Sequence, residues 1–449
     1  MTMSDRSAVM ALIGAGPVGL GMAKALLEHK IPYEQLEADR ELGGNWLHGV
    51  YETVHIISSR KTTEYADYPM PADYPDFPSR QQMLDYLRDY AAKFQLTPHI
   101  QFNTKVVMAL PVADGRWELE LASGEKRVYK GLIVCNGHHW DRRFPKYPGK
   151  FEGDFLHSKD YRTPAQLAGK RVLVIGGGNS ACDIAAEAAR VGKTARISLR
   201  RGYWFLPKTL FGMPSAELIK PWFPVWAQRI FLRVVLRVAI GKYSDYGLPE
   251  PDHKIFEAHP TINSELLYYM KQGRIEARKD VARFAGKTVH FVDGTSEEFD
   301  AAVCATGYHV SFPFLPPGLV KVRGSTAQVY GGCVLAEYKN LYIIGTSQLR
   351  YGFGPVVTPG MDLMARMMLA QEQMELPIGL VMKEAGVKIP RTHLVDPHAA
   401  IRAIRRGKRM LPLLLWKEKR LRKTFAAGTA TSPPISNSAV QINRGLEVF

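Results

Sequence analysis

The spacing of apolar and polar positions predicts that one strand–turn–helix unit occurs twice in this chain. Residues 8–27 (AVMALIGAGPVGLGMAKALL) place a short apolar run before a glycine turn and a helix rich in small apolar residues. Residues 169–188 (GKRVLVIGGGNSACDIAAEA) repeat the same order. A continuous apolar run before a glycine turn is typical of a buried parallel strand that opens a dinucleotide-binding unit. The fold class predicted is therefore α/β with two Rossmann-like units.

Other segments extend these two units. Apolar spacing near 3.6 residues predicts a helix over 84–94, and alternation predicts an antiparallel meander over 101–110, 116–122 and 127–135. The remaining predicted elements are a hairpin turning at an Asp-Gly pair within 286–305, a buried strand over 340–346 and a helix over 358–373.

The first glycine turn has the chemistry of an adenosine dinucleotide site. Gly14, Gly16 and Gly19 stand where the chain turns, approaches a pyrophosphate and packs the helix on its strand. The helix N-terminus offers free N–H groups to the phosphates. The next predicted strand ends at Glu37, 23 residues after Gly14, where a carboxylate can accept hydrogen bonds from ribose hydroxyls.

The second turn differs at the ribose position. Gly176, Gly178 and Ala181 occupy the three turn positions, and the matching strand ends at Arg200, 24 residues after Gly176. Arg200 and Arg201 can grip a ribose phosphate that a carboxylate would repel, although a pair of surface arginines is the alternative. One site therefore suits an unphosphorylated dinucleotide and the other NADPH, and a flavin is the usual partner of NADPH in hydride transfer.

Composition places the chain among ordinary soluble proteins, with 46% hydrophobic and 23% charged residues. The four cysteines (Cys135, Cys182, Cys304 and Cys333) have no motif spacing, so we interpret them as buried apolar residues and predict no metal site. We expect a cytoplasmic protein without a secretory leader.

Much of the net charge of +16 lies near the C-terminus, where ten basic residues and Glu418 fall between Arg402 and Lys423. We interpret this run as a solvated helix and tail rather than a patch for anionic lipid or nucleic acid.

The segment 223–240 (FPVWAQRIFLRVVLRVAI) carries three arginines four residues apart, Arg229, Arg233 and Arg237. Their charges exclude a spanning helix. Two alternatives remain open: a surface helix packed on the body, or an interfacial helix that contacts a membrane or lines an apolar substrate entrance.

A set of motifs in fixed order resembles the flavin-containing monooxygenases. Between the two turns lies FEGDFLHSKDY, which has Phe151, Gly153, His157 and Tyr161 in the pattern FxGxxxHxxxY. The stretches GGNW (43–46), VCNGHH (134–139), ATGY (305–308) and NLYIIG (340–345) are similar to those of the same family. The resemblance spans most of the chain, and we expect His157 to be a hinge or packing residue.

The resemblance implies FAD on the first unit, NADPH on the second, and an FAD domain that is split by insertion of the NADPH domain. The implied segments are 1–169 and 301–395 for FAD, 170–300 for NADPH, and 396–449 for a basic helix and loose tail. Many members place an asparagine three residues before a lysine, and here that position is Ser58, which we predict to be catalytic. Besides the residues of the two turns, the cofactor-binding residues predicted are Gly44, Trp46, Val106, Gln348, Asn179 and Ser180.

The implied activity is NADPH- and O2-dependent monooxygenation of a small organic substrate through a C4a-(hydro)peroxyflavin protected from water. The product would be an N- or S-oxide or an oxidised carbonyl or keto acid. A disulfide reductase is excluded because no cysteine pair follows the first unit. A catalytically silent FAD/NADPH sensor and an NADPH oxidase-like flavoprotein remain alternatives, as do peripheral membrane contact and a homodimer.

Overall fold

The computed structural model describes residues 3–218 and 223–426 of the chain. The predicted loose end of the tail, 427–449, lies outside the described residues. The α-helices are α1 (Pro17–Glu28), α2 (Arg60–Thr63), α3 (Arg80–Lys93), α4 (Asn179–Val191), α5 (Ser215–Leu218), α6 (Val225–Ala239), α7 (Leu266–Lys271), α8 (Gly354–Glu372), α9 (Ile378–Glu384) and α10 (Pro397–Ala426).

The strands are short except in the two main sheets. They are β1 (Met3–Ile13), β2 (Tyr33–Leu36), β3 (Ile100–Gln101), β4 (Val106–Pro111), β5 (Trp117–Leu121), β6 (Lys126–Val134), β7 (Asp141–Arg142), β8 (Asp154–His157), β9 (Arg171–Ile175), β10 (Thr194–Ser198), β11 (Phe205–Leu206), β12 (Thr209–Leu210), β13 (Met213–Pro214), β14 (Thr261–Ile262), β15 (Ile275–Arg278), β16 (Val281–Ala285), β17 (Thr288–Phe291), β18 (Ser296–Glu298), β19 (Ala301–Cys304), β20 (Tyr308–His309), β21 (Val322–Arg323), β22 (Thr326–Ala327), β23 (Leu341–Ile343), β24 (Gln348–Leu349) and β25 (Leu394–Val395).

The first sheet has the order β3-β2-β1-β6-β5-β4, and β23 also pairs with β6. Strands β1, β2, β3, β6 and β23 run parallel, and β4 and β5 add the predicted antiparallel meander. Helices α1 and α8 contact each other over this sheet, where an added Cβ on Gly21 would lie 2.6 Å from Val357. The first sheet thus has the parallel strands β1 and β6 at its centre, as in a dinucleotide-binding unit.

The second sheet is fully parallel, with the order β15-β10-β9-β19-β8. Its strands begin at Asp154 and end at Cys304, and the first sheet resumes afterwards with β23. The second unit is therefore inserted into the first, as predicted. The sheet extends beyond the expected limits of 170 and 300 because it includes β8 before them and β19 after them, and these two strands pair with each other. Local periodicity does not reveal such a pairing of distant segments.

The C-terminal basic segment forms α10, which packs on α8 and α9. Its one acidic residue, Glu418, is 1% exposed and accepts hydrogen bonds from the amides of Glu375 (3.0 Å) and Leu376 (3.3 Å). Two of its basic residues form ion pairs, Lys408 with Asp362 and Arg422 with Glu375. In the part of the chain that the structure describes, no helix is both long enough and apolar enough to cross a membrane.

Candidate functional site

The first glycine turn joins β1 to α1 and requires glycine at two positions. Gly14 has a φ of +97°, and an added Cβ would lie 2.6 Å from the carbonyl oxygen of Cys135. At Gly19 a Cβ would lie 2.0 Å from the carbonyl oxygen of Gly14. Helix α1 therefore packs directly against the turn, with Gly16 at its N-cap, and the first intrahelical bond of the turn reaches Leu20. The N–H groups of this first helical turn are available to an anion.

Glu37 lies just after β2 with its carboxylate turned back to the glycine turn. The side chain is buried; its Oε2 accepts the amide of Ala15 at 2.6 Å and its Oε1 accepts the amide of Asp39 at 2.9 Å. Burial raises the pKa of this carboxyl, and the two amide donors oppose that rise. Each oxygen has a further lone pair, so the anchored carboxylate can also accept a ribose hydroxyl.

The segment after Glu37 closes the other side of the turn. An added Cβ on Gly44 would lie 3.1 Å from the Cα of Gly16, so the two backbones nearly touch. Trp46 follows in a π-helical turn, Asn45–Gly49, half-buried against the core of the first unit. Lys159, which no sequence motif indicates as a site residue, donates from Nζ to Asn45 Oδ1 at 3.1 Å.

Lys159 brings a titratable positive charge to this place. Burial, together with the positive charges of Arg162 and Arg142, lowers its pKa to about 8. Lys159 lies two residues after β8, so a residue of the second unit reaches Asn45 in the segment that closes the first glycine turn.

The second glycine turn joins β9 to α4 with looser packing at its end. Gly176 has a φ of +127°, and its Cβ would lie 2.4 Å from the carbonyl oxygen of Ala305. No heavy atom stands within 4 Å of a Cβ built on Gly178, the N-cap of α4. Ala181, in the third turn position, is fully buried. The Asn179 carboxamide is engaged, since its Oδ1 accepts the amide of Ile262 at 2.7 Å.

The two arginines predicted for the second turn lie just past the end of β10. Both Arg200 and Arg201 are exposed, and neither forms an ion pair with a carboxylate of the described residues. The guanidinium of Arg201 lies 5.4 Å from the ring centroid of Tyr203. An exposed, unpaired pair of guanidinium groups at this strand end leaves both forks free for an anion.

Two buried polar atoms just after β6 have no hydrogen-bond partner among the described residues. His138 Nδ1 lies 2.8 Å from the carbonyl oxygen of Gly345, while its buried Nε2 has no hydrogen-bond partner among the described residues. The same holds for the buried Oδ1 of Asn136. Buried polar atoms are nearly always paired in a native protein, so this pair indicates a missing ligand or water.

His139 follows directly and is exposed at its surface although many protein atoms surround it. Burial among these atoms and the neighbouring His138 lower its pKa to about 3. His139 also lies next to Tyr308, with ring centroids 5.6 Å apart. Both histidines belong to the VCNGHH motif, which by itself indicates no role for either of them.

His157 is a structural residue, as expected. It is fully buried, and its Nδ1 accepts the amide of Lys159 at 3.1 Å. Its Nε2 lies 3.1 Å from the carbonyl oxygen of Gly307 and donates to it. Burial lowers its pKa, so the imidazole is neutral and bridges the ends of two second-sheet strands.

Three predicted site residues lie on separate elements. Ser58 is 9% exposed, just before α2, and its Oγ lies 2.7 Å from Thr63 Oγ1. Val106 begins β4 in the apolar core beneath the first sheet. Gln348 lies on β24, and its backbone N–H donates to the carbonyl oxygen of His393 at 2.8 Å. Their roles toward a cofactor stay predictions.

The two glycine turns and the two sheets define a class of protein, the α/β proteins with two dinucleotide-binding units, one inserted in the other. The profile of the "Flavin-binding monooxygenase-like" family matches residues 7–371. The chain is 33% identical over 347 residues to flavin-containing monooxygenase 5 of Oryctolagus cuniculus, covering 71% of this chain. The chain therefore belongs to the flavin-binding monooxygenase-like family.

Solved structures share the fold. A mutant flavin monooxygenase of Stenotrophomonas maltophilia superposes with a TM-score of 0.62 and 25% identity, over 82% of this chain and 99% of that one. OTEMO in complex with FAD and NADP has a TM-score of 0.66 and 17% identity, over 82% of this chain and 85% of that one. The chain spans 65% of the length of the rabbit relative.

Proposed function

We propose that this chain is an NADPH- and O2-dependent flavoprotein monooxygenase that acts on a small organic substrate. One observation carries the proposal. In the first unit a buried carboxylate, Glu37, follows the strand after the glycine turn and its helix, and in the second unit two exposed cations, Arg200 and Arg201, follow the matching strand. A carboxylate accepts ribose hydroxyls and repels a ribose phosphate, whereas guanidinium groups bind that phosphate. The two sites thus suit FAD and NADPH respectively.

The first turn fits the dinucleotide part of FAD. Because Gly16 and Gly44 carry no side chains, their backbones come close together at the N-terminus of α1 and would leave a bare backbone surface for the phosphates. Glu37 would hold the ribose, and Lys159 would add a positive charge near the pyrophosphate. Trp46, Val106 and Gln348 are proposed to border the same cofactor.

The second turn fits NADPH by the same test. Gly176 and the open Gly178 would cradle its pyrophosphate at the start of α4, together with the backbone of Asn179, Ser180 and Ala181. Arg200 and Arg201 would bind the 2′-phosphate. The OTEMO structure, of the same fold, holds both FAD and NADP.

Bound flavin would accept a hydride from NADPH and pass two electrons to O2, so that one oxygen atom reaches the substrate and the other leaves as water. The residues of the chain bind, orient and exclude water. His139 is neutral above pH 4, so its ring, which lies beside Tyr308, can both donate and accept a hydrogen bond. His138 Nε2 and Asn136 Oδ1 offer further unpaired polar atoms. Ser58 is proposed to donate its hydroxyl toward the flavin, in competition with Thr63.

The test is anaerobic reduction followed by turnover. Purified protein should carry a flavin absorbance that NADPH bleaches faster than NADH does, and air should restore it. Turnover with a panel of amines, thioethers, ketones and keto acids, followed by product mass, separates oxygen insertion from loss of carbon dioxide. Colourless protein, or flavin that NADPH does not bleach, would favour the silent sensor; bleaching with peroxide as the sole product would favour the oxidase.

Ser58→Ala, compared with Thr63→Val, should raise the share of peroxide.

We further propose that α6 contacts an anionic membrane surface. Four apolar residues four positions apart, Trp226, Ile230, Val234 and Val238, are 57–83% exposed, while the opposite face is buried. Arg233 and Arg237 are exposed beside them, which complements anionic headgroups. Flotation with phosphatidylserine vesicles at low and high salt tests the proposal. A concentration-dependent homodimer that Trp226→Glu abolishes, without flotation, would assign the stripe to a second copy instead.

A further inference from the structure

A carboxylate on the helix of the second unit holds a loop of the first unit. Glu187 lies two turns into α4, is 6% exposed, and accepts hydrogen bonds on both oxygens. Its Oε1 accepts the hydroxyl of Thr53, from the loop that precedes Ser58, and its Oε2 accepts the hydroxyl of Tyr161, from the segment that follows β8. Three segments distant in sequence therefore meet at one side chain.

One turn earlier, Asp183 repeats the arrangement. It accepts the hydroxyl of Tyr51 at 2.6 Å and the side-chain amide of Asn263 at 2.6 Å. The rings of Tyr51 and Tyr161 lie against each other, with centroids 5.7 Å apart. Burial raises the pKa of Asp183, and the two donors oppose that rise. The loop 51–53 is thus fixed to one face of α4 by hydrogen bonds at two successive turns.

The position of this contact connects both cofactor sites. Helix α4 begins at the second glycine turn, where we place the phosphates of NADPH. The loop 51–53 leads through Ser58 into α2, whose Thr62 carbonyl would lie 2.2 Å from a Cβ on Gly352, just before α8 of the first unit. A tilt of α4 relative to the loop would therefore move the bound nicotinamide relative to the first unit.

We infer that Glu187 is a positioning residue that sets how NADPH on the second unit faces the flavin on the first, through Thr53 and Tyr161. This rests on the proposed function. Hydride transfer depends steeply on the distance between donor and acceptor, and a displacement of about 1 Å can reduce a rate by roughly a hundredfold. Binding of NADPH depends on the glycine turn and the arginines, which the carboxylate does not touch.

The test variant is Glu187→Gln, which keeps the shape but leaves one acceptor oxygen for two hydroxyls. Stopped-flow flavin reduction should slow about tenfold or more, while the NADPH dissociation constant changes less than about threefold. Thr53→Val, which removes one hydroxyl at constant size, should reproduce part of the loss. A double-mutant cycle of the two should be non-additive. Tyr129→Phe is the matched control, because it removes a buried tyrosine bond to Glu34 (2.8 Å) within the first unit alone.

A second readout does not need turnover. Addition of NADP⁺ should slow hydrogen exchange of amides in 51–59 in the wild-type protein but not in Glu187→Gln. Wild-type reduction rates and wild-type exchange in Glu187→Gln would overturn the inference. A wild-type protein that binds NADP⁺ without reducing flavin would contradict the proposed function instead, and the exchange comparison would then decide the role of Glu187 by itself. If Glu187→Gln fails to fold, Thr53→Val decides both measurements.

Discussion

The two glycine turns share a backbone plan but meet their surroundings differently. In the first, the third glycine is so close to the turn that a Cβ on Gly19 would lie 2.0 Å from the Gly14 carbonyl oxygen. In the second, Ala181 already carries a Cβ and is fully buried without strain. At the ribose end, Glu37 is buried and anchored by two amides, while Arg200 is exposed.

The difference indicates how permanent each ligand is. A buried, pre-oriented carboxylate and a tight turn suit a cofactor that stays bound, since little has to be ordered on binding. Exposed arginine side chains must be ordered each time, which suits a ligand that arrives and leaves. We therefore expect the first site to hold a resident group and the second an exchanging one.

The largest effect is expected from Gly19→Ala. The added methyl would overlap backbone rather than a movable side chain, so the variant should lose roughly 1–3 kcal/mol or more of unfolding free energy and most of its flavin. Thermal unfolding and the ratio of flavin to protein absorbance measure both losses. Gly178→Ala is the control, because its Cβ would meet nothing within 4 Å. A Gly19→Ala protein with wild-type flavin content would mean that the turn is not a cofactor cradle.

Arg200→Ala should change coenzyme choice without changing the first site. Loss of a charge-assisted hydrogen bond costs about 1.5–3 kcal/mol, so NADPH should bind roughly 10- to 100-fold more weakly while NADH binding stays nearly constant. Flavin reduction rates at varied coenzyme concentration give both constants. Equal weakening of the two coenzymes would refute the assignment of Arg200 to the 2′-phosphate.

Local pattern predicted much of the fold. The strand–turn–helix units, the meander and the order of the two units followed from apolar periodicity and glycine positions. Helix α3 begins four residues earlier than predicted because Ser79 and Gln82 form a capping box, in which each side chain accepts the other's amide. That signal was present in the sequence, since a serine three residues before a glutamine marks a helix start.

The site was less accessible to sequence reasoning. Gly14, Glu37 and Arg200 follow from spacing within one unit. Lys159, Glu187 and His139 depend on which segments from the two units meet, and a single residue spacing does not encode that meeting. The prediction of Ser58 rests on the family pattern, which counts back three residues from a lysine, here Lys61, and that pattern does not indicate the hydrogen bond of Ser58 to Thr63.

Dependence on pH should also distinguish the two sites. The cation near the first turn, Lys159, has a pKa of about 8, whereas arginines at the second turn stay charged. FAD affinity should therefore fall about fivefold as the pH rises from 7 to 9, because loss of the lysine charge removes a contact worth about 1 kcal/mol. The preference for NADPH over NADH should stay constant over the same range. Lys159→Met should remove the slope.

The stability of flavin-free protein should change in the opposite direction. The pKa of Lys159 is lowered from 10.5 to about 8 on folding, so between these values the unfolded chain binds more protons. The lysine's contribution to stability is complete above about 10.5 and is lost as the pH falls through about 8. Melting at pH 7 should thus rise in Lys159→Met but not in Lys170→Met, which removes an exposed lysine paired with Asp154. An unchanged melting temperature would contradict the burial of the charge.

The smallest effect, and the reverse of the first substitution, is expected from Ala181→Gly. Glycine in a helix costs about 1 kcal/mol relative to alanine, and the buried methyl leaves a small void. Because α4 already tolerates a Cβ at this position, removing it should bring no closer approach and should leave NADPH affinity unchanged. Thermal unfolding with and without NADP⁺ measures both quantities. A marked gain in NADPH affinity would show instead that the methyl of Ala181 keeps the second turn from approaching its ligand. The two turns would then differ in how closely this one position packs, and not in how long their ligands stay bound.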